Sequence, residues 1–225
     1  MGREYSDALD MFVDEQRTFI NALQGNKDIS IVIHGTGSPV IATAQEIALY
    51  FASNAAEVSS HFIIDRTGKV VQCVSLQNGA AANCCLELNH DSFWDKYAKK
   101  YTNLNLCTIS IEHCNDVTNS LPPTPAQLQA SIKLISYLTK KFNIPTTRIK
   151  THASIDPESR KQCPGNYPMT DVIKAVDELN QPQNTISEII LAEDLTKAQQ
   201  DLVDAEKELA ALRGLIVVNK PTVIQ

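Results

Sequence analysis

Positive charge is scarce in this chain: 20 Lys and Arg stand against 26 Asp and Glu, a formal net charge of -6. The basic residues gather into no stripe or patch, so the electrostatic footprint that a nucleic-acid backbone demands is missing. No apolar run approaches the roughly 20 residues that cross a bilayer. The opening stretch, Met1-Gly-Arg-Glu-Tyr-Ser-Asp-Ala-Leu-Asp10, is acidic and has no apolar centre of the secretory type, which predicts synthesis and folding in the cytoplasm. Cysteines number six, and in a chain read as intracellular they are expected to be reduced rather than bridged. Cys73, Cys107 and Cys114 lie in or beside apolar runs, where a thiol packs as a small hydrophobe.

What is present suffices for a core, since 43% of the residues are hydrophobic. Leu9, Phe12, Val13, Phe19, Ile20 and Leu23 recur at three- and four-residue spacing and predict an amphipathic helix over residues 5–24, stopped by Gly25. Ile29-Ser-Ile-Val-Ile33 predicts a buried strand that delivers His34 to a glycine-containing loop. Residues 43–53 predict a helix, with Thr43 and Glu46 at capping-box spacing. Residues 61–65 and 69–74 predict a hairpin turned at Arg66-Thr-Gly68. The row Phe93, Trp94, Tyr97 and Tyr101 has helical spacing and is expected to pack against its own domain. Residues 106–111 predict a strand whose alternation sets Thr108, Ser110 and Glu112 on one face and His113 on the other. Helices are expected over 126–142 and 169–179, with a short strand at 148–151 between them. Strands alternating with helices predict an α/β fold with a central mixed sheet flanked by helices, occupying residues 1–180.

The most informative stretch is Thr151-His-Ala-Ser-Ile-Asp-Pro-Glu-Ser-Arg-Lys-Gln-Cys-Pro-Gly165. Asp156-Pro157 breaks regular structure, so His152 and Cys163 meet only if a loop folds back. Such a loop is a metal clip or a catalytic pair, with a further partner on a rigid strand. His34 answers that description, although alone it reads equally well as a histidine capping a core strand. Two imidazoles and a thiolate suit zinc, and three protein donors leave a fourth position for water. If the segment is extended, Lys161 emerges on the same side as Cys163 and offers a cation to an oxyanion. Glu112, a carboxylate at the end of an apolar strand, is the candidate acid or base. His61 is expected to be a satisfied polar residue, and His90 is given no role.

The blocks Ile31-Val-Ile-His34, Ser60 to Val70, Ile109-Ser-Ile-Glu112, Thr124-Pro-Ala-Gln-Leu128 and His152 to Gly165 resemble, in order and spacing, the zinc N-acetylmuramoyl-L-alanine amidases. The resemblance spans roughly residues 25 to 180, and Lys161-Gln-Cys-Pro-Gly165 is its most specific part. It implies a zinc ion held by His34, His152 and Cys163, with Lys161 steadying a tetrahedral oxyanion. Family members place a tyrosine before the hairpin histidine or a glutamate on the later strand. Here Ser60 occupies the first position and Glu112 the second, so the resemblance assigns the proton-transfer role to Glu112. Ala80-Ala-Ala-Asn-Cys84 matches the family's histidine-containing loop only loosely. The implied reaction is cleavage of the amide between N-acetylmuramic acid and L-alanine in peptidoglycan or muropeptides, on the cell wall after release or delivery.

Beyond Gln181-Pro-Gln-Asn184 the composition changes. Leu191, Leu195, Ala198, Leu202, Ala205, Leu209, Leu212 and Ile216 form a heptad stripe, so residues 181–225 predict a linker and a coiled-coil-like helix. That helix packs on its own domain, pairs with a second copy or binds another protein. Two other classes stay open on the residues alone: a non-catalytic peptidoglycan-binding module, and a component attached by this helix to a virion or secretion machine.

Overall fold

Strand β3 (Ser30–Gly35) is buried on both faces, as a run of β-branched residues in a parallel sheet requires: Ile31 and Ile33 point one way, Val32 and His34 the other. It pairs in parallel with β7 (Thr108–His113) on one side and β8 (Ile149–Thr151) on the other. β7 continues in parallel to β4 (Phe62–Ile64), which forms an antiparallel hairpin with β5 (Val70–Gln72). β1 (Ala8–Asp10) adds in parallel to β5 and completes a mixed six-stranded sheet in the order β1-β5-β4-β7-β3-β8. β2 (Thr18–Phe19) and β6 (Gly79–Ala80) form a separate antiparallel pair. This computed structural model describes residues 4–12, 18–38, 42–53, 56–83, 86, 87 and 89–181, and in the C-terminal part residues 197, 199–202, 204, 205 and 209.

One face of the sheet is covered by α3 (Pro125–Phe142) and α4 (Met169–Asn180). Leu134, Ile135 and Leu138 of α3 and Val172 and Val176 of α4 bury against Ile31, Ile33, Phe62, Ile64, Ile109 and Ile111. Each such side chain contributes about 1.5–3 kcal/mol on burial. Helix α3 starts where the sequence expects: the Thr124 hydroxyl accepts from the Gln127 amide, and Pro125 occupies the first turn. On the other face, α1 (Ala44–Ala52) sets Ala44, Ala48 and Phe51 against Ile63, Val71 and Cys73. The Thr43–Glu46 capping box forms in both directions. Trp94 and Tyr97, the latter in α2 (Asp95–Ala98), pack with Val32, Leu104, Cys107 and Ile155, so the aromatic row serves the core of its own domain.

The helix expected over residues 5–24 does not form. In its place are β1, the short β2 and turns, with residues 13–17 outside the described set. The apolar spacing misleads because the residues it groups are not buried together: Leu23 is in the core, whereas Ile20 is 56% exposed. Pairing of Ala8, Leu9 and Asp10 with β5, and packing of Tyr5 on Phe62 and Tyr137, outweigh a weak local preference. His61 is, as expected, a satisfied core histidine. Its Nδ1 accepts from the Ser110 amide at 3.0 Å, so its Nε2 donates to the Asn78 carbonyl at 3.0 Å.

The chain divides into two compact units, Met1–Leu179 and Asn180–Gln225. In the second, the described residues from 197 onward are helical; Leu202 and Leu209 are exposed. Most of the heptad stripe lies outside the described residues.

Candidate functional site

β3 and β7 run parallel in a register that sets His34 opposite Glu112 at their carboxyl ends, where open α/β sheets place their ligand sites. Period-two alternation turns both side chains to the face away from α3, and His34 Nδ1 lies 4.0 Å from Glu112 Oε1. His113 points to the opposite face, as expected, where its ring lies between the His34 carbonyl and the Ser131 hydroxyl. β8 ends at Thr151 and hands the chain directly to His152, whose Nδ1 is 3.0 Å from His34 Nδ1. The returning loop seats Cys163 so that its sulfur accepts from the Gly35 amide at 3.3 Å.

One donor atom from each of His34, His152 and Cys163 falls within 4.8 Å of the others, the one such cluster among the described residues. A tetrahedral zinc with bonds of about 2.0–2.1 Å to nitrogen holds two ligand nitrogens roughly 3.3 Å apart, close to the separation here. The protonation states agree with a cation site. Burial, and then the neighbouring His152, hold the His34 pKa well below its usual value, and burial pulls His152 down to about 4, so both rings are neutral near pH 7. Burial pushes the Cys163 thiol up to about 12, so its conversion to a thiolate ligand needs an adjacent positive charge. The donor set therefore fits zinc. Burial also raises the Glu112 carboxyl to about 8, against the opposing pull of Arg160.

A cleft of about 680 Å³ opens over these groups. Beyond His34, Glu112, His152 and Cys163 its walls include Tyr50 and Phe51 of α1 and Val117. Lys161 is not among the lining residues and is exposed. The extended geometry that would bring it beside Cys163 is absent, because the Cys163 amide donates to the Arg160 carbonyl at 2.8 Å and closes a turn. Arg160 lines the cleft instead. The sequence reading passed over Arg160, although it directly precedes Lys161.

Asn119 was also missed. Its Oδ1 accepts from the Gly37 amide at 3.1 Å. A β-carbon on Gly35 would come within 2.4 Å of that oxygen, and one on Gly165 within 1.7 Å of the Asn119 carbonyl oxygen. Loop 115–120 is thus wedged between the segment leaving His34 and the segment leaving Cys163. Only glycine fits at Gly165, which also has a φ of +72°. No sequence pattern announces this contact.

A mixed sheet with α3 and α4 on one face and, on the other, a His-His-Cys donor set and a carboxylate in a cleft beside α1 defines an α/β protein with a candidate metal site. A family profile described as N-acetylmuramoyl-L-alanine amidase matches residues 25–166, well over half of the chain, and the protein belongs to that family. The fold agrees. An endolysin N-acetylmuramoyl-L-alanine amidase from Clostridium intestinale is 19% identical, with a TM-score of 0.55 over 78% of this chain and 99% of that one. A mutant endolysin from Bacillus subtilis is 19% identical, with a TM-score of 0.53 over 76% of this chain and 99% of that one. AmpD, as a selenomethionine derivative, is 18% identical, with a TM-score of 0.54 over 76% of this chain and 95% of that one. Comparison with curated proteins finds no match. Among the described residues no helix is long and apolar enough to cross a membrane.

Proposed function

We propose that His34, His152 and Cys163 hold a zinc ion, and that the cleft above them hydrolyses the amide joining N-acetylmuramic acid to L-alanine in peptidoglycan or its muropeptides, which the protein meets after release or delivery to the wall. The observation that carries this reading is the convergence of two neutral imidazole nitrogens and one sulfur at the carboxyl ends of parallel strands, in a chain of the amidase family. When bound, zinc supplies a Lewis acid for the scissile carbonyl and acidifies a water. Glu112 would accept a proton from the attacking water and give it to the departing amine of L-alanine. Burial raises its pKa to about 8; a cation held beside it would draw that down, so that the ionised carboxylate accepts the proton first and gives it to the amine afterwards. The Gly35 amide steadies the Cys163 sulfur and keeps that ligand oriented. Arg160, already on the cleft wall, holds the anionic parts of the bound substrate. Lys161, outside the wall at rest, brings its flexible ammonium to the oxyanion as charge develops.

Metal analysis of the pure protein, together with mass spectrometry of products from intact sacculi and from soluble muropeptides, tests the reading. One zinc per chain and release of peptides beginning with L-alanine, abolished by a chelator and restored by zinc, is the expected result. Binding to sacculi without peptide release overturns the enzymatic reading in favour of a binding module.

The C-terminal unit supports a second, separate role. Leu202 and Leu209 stand seven residues apart on helical backbone and are both exposed, as heptad positions awaiting a partner are. We propose that residues 181–225 are a linker and attachment helix. A concentration-dependent mass measurement with and without residues 183–225 checks it: self-association should disappear with the deletion, and a monomeric full chain excludes pairing with a second copy.

A further inference from the structure

Three buried side-chain atoms on the site face of the sheet have no hydrogen-bond partner: His34 Nε2, Asn83 Oδ1 and Glu112 Oε2. The first two are chemically complementary. A neutral histidine that presents the Nδ1 lone pair to a cation carries its proton on Nε2 and is a donor there, whereas an amide oxygen only accepts. The orientation of the Asn83 amide is set by its other contacts. Nδ2 lies 3.1 Å from Thr108 Oγ1 and 2.7 Å from Ser110 Oγ. The Thr108 hydroxyl proton is already given to the Leu104 carbonyl at 2.8 Å, so that oxygen must accept, and the NH2 end of Asn83 must face it. Oδ1 is thereby turned away from both hydroxyls. The backbone of Asn83 is held independently, its amide donating to Asn105 Oδ1 at 2.6 Å.

Thr108, Ser110 and Glu112 form a row along one face of β7, and His34 sits opposite Glu112 in register, so an amide anchored on Thr108 and Ser110 lies on the same face, one step along the row from the His34–Glu112 pair. Both atoms are buried on this face and neither has another hydrogen-bond partner. We infer that Asn83 is the positioning residue for His34: its Oδ1 accepts the Nε2 proton and so fixes the tautomer that leaves the Nδ1 lone pair directed at His152 and Cys163. Metal-binding histidines depend on such a partner for ring orientation and ligand basicity, and its loss costs about 10–100-fold in affinity. Nothing in the run Ala80-Ala-Ala-Asn83 signals this role; it follows from the hydroxyl row beneath.

The inference rests on the zinc reading and is tested on the full chain by zinc affinity in competition with a chromophoric chelator, alongside circular dichroism and thermal unfolding of the metal-free protein. Asn83→Leu, similar in size, removes the acceptor and should weaken zinc by about 10–100-fold while the metal-free spectrum is unchanged. Asn83→Ala, which also removes the acceptor but introduces no new bulk, should weaken zinc by at least about tenfold. Zinc binding by Asn83→Leu within about threefold of the wild type overturns the inference and leaves the metal reading standing, since the expected loss is at least about tenfold. If Asn83→Leu does not fold, Asn83→Ala decides: a loss of about tenfold or more supports the role, and binding within about threefold of the wild type overturns it. A wild-type chain that binds no zinc overturns both readings.

Discussion

His34 and Glu112 are direct partners in the ladder between β3 and β7, yet they share no hydrogen bond: Nδ1 and Oε1 are 4.0 Å apart. The imidazole is thus left to the His152 and Cys163 side, and the carboxyl, 15% exposed, faces the cleft. Glu112→Gln keeps the size and removes the base. It should lower kcat by about 10²–10⁴-fold with zinc still stoichiometric, because Glu112 is outside the donor set. A variant within tenfold of the wild type would remove Glu112 from the proton-transfer role.

Cys163→Ser replaces the sulfur donor by a hydroxyl, which ligates zinc poorly. Zinc per chain, measured by elemental analysis after dialysis, is expected to fall from about one to a small fraction, and peptide release to fall with it. Full zinc retention by the variant would show that the ion is held elsewhere.

The turn before Cys163 carries two cations in different positions, and their variants should separate kinetically. Arg160 lines the cleft at rest, so Arg160→Ala should act chiefly by raising KM. Lys161 is exposed and off the wall, so Lys161→Ala should lower kcat with KM little changed. The reverse pattern would assign the oxyanion to Arg160.

Gly165→Ala tests the wedge of loop 115–120. The added carbon meets the Asn119 carbonyl oxygen at 1.7 Å on backbone with a φ of +72°. A loss of about 2 kcal/mol or more, seen as a fall of roughly 4–8 °C in Tm, is expected. An unchanged Tm would show that the loop yields at no cost.

Acid should destabilise the fold through His61. Burial lowers its pKa to about 4, against 6.5 for the exposed group. Above pH 6.5 the ring is neutral in both states and contributes no pH dependence. As pH falls below 6.5 the unfolded chain takes up the proton first, so stability is lost progressively until about pH 4, by roughly 3 kcal/mol in all. His61→Gln should lessen the pH dependence of urea unfolding between pH 6.5 and 4 by the share of one proton, buried His113 and the donor histidines keeping the rest; an unchanged slope would assign it wholly to those groups.

Much of this is legible along the chain because short-range physics writes it there. The β-branched run before His34, the Thr43–Glu46 capping box, the apolar spacing of α3 and the alternation that separates Glu112 from His113 are all properties of a few consecutive residues. The N-terminal segment misled for the same reason: its spacing suits a helix, but edge pairing with β5 and the packing of Tyr5 are long-range gains that no local window contains. Lys161 and Arg160 changed places relative to the cleft because one turn, closed from Cys163 to Arg160, replaces extended backbone.

By itself the sequence determined which donor chemistries are available and at which ends of strands they emerge, since residue type and periodicity are local. Only the tertiary structure decided that His34 and His152, 118 residues apart, come within 3.0 Å, that Asn119 stands against the segments leaving His34 and Cys163, and that Asn83 is anchored on β7. Strand order and register are set by how whole faces of the sheet bury together, and no single stretch of chain encodes that.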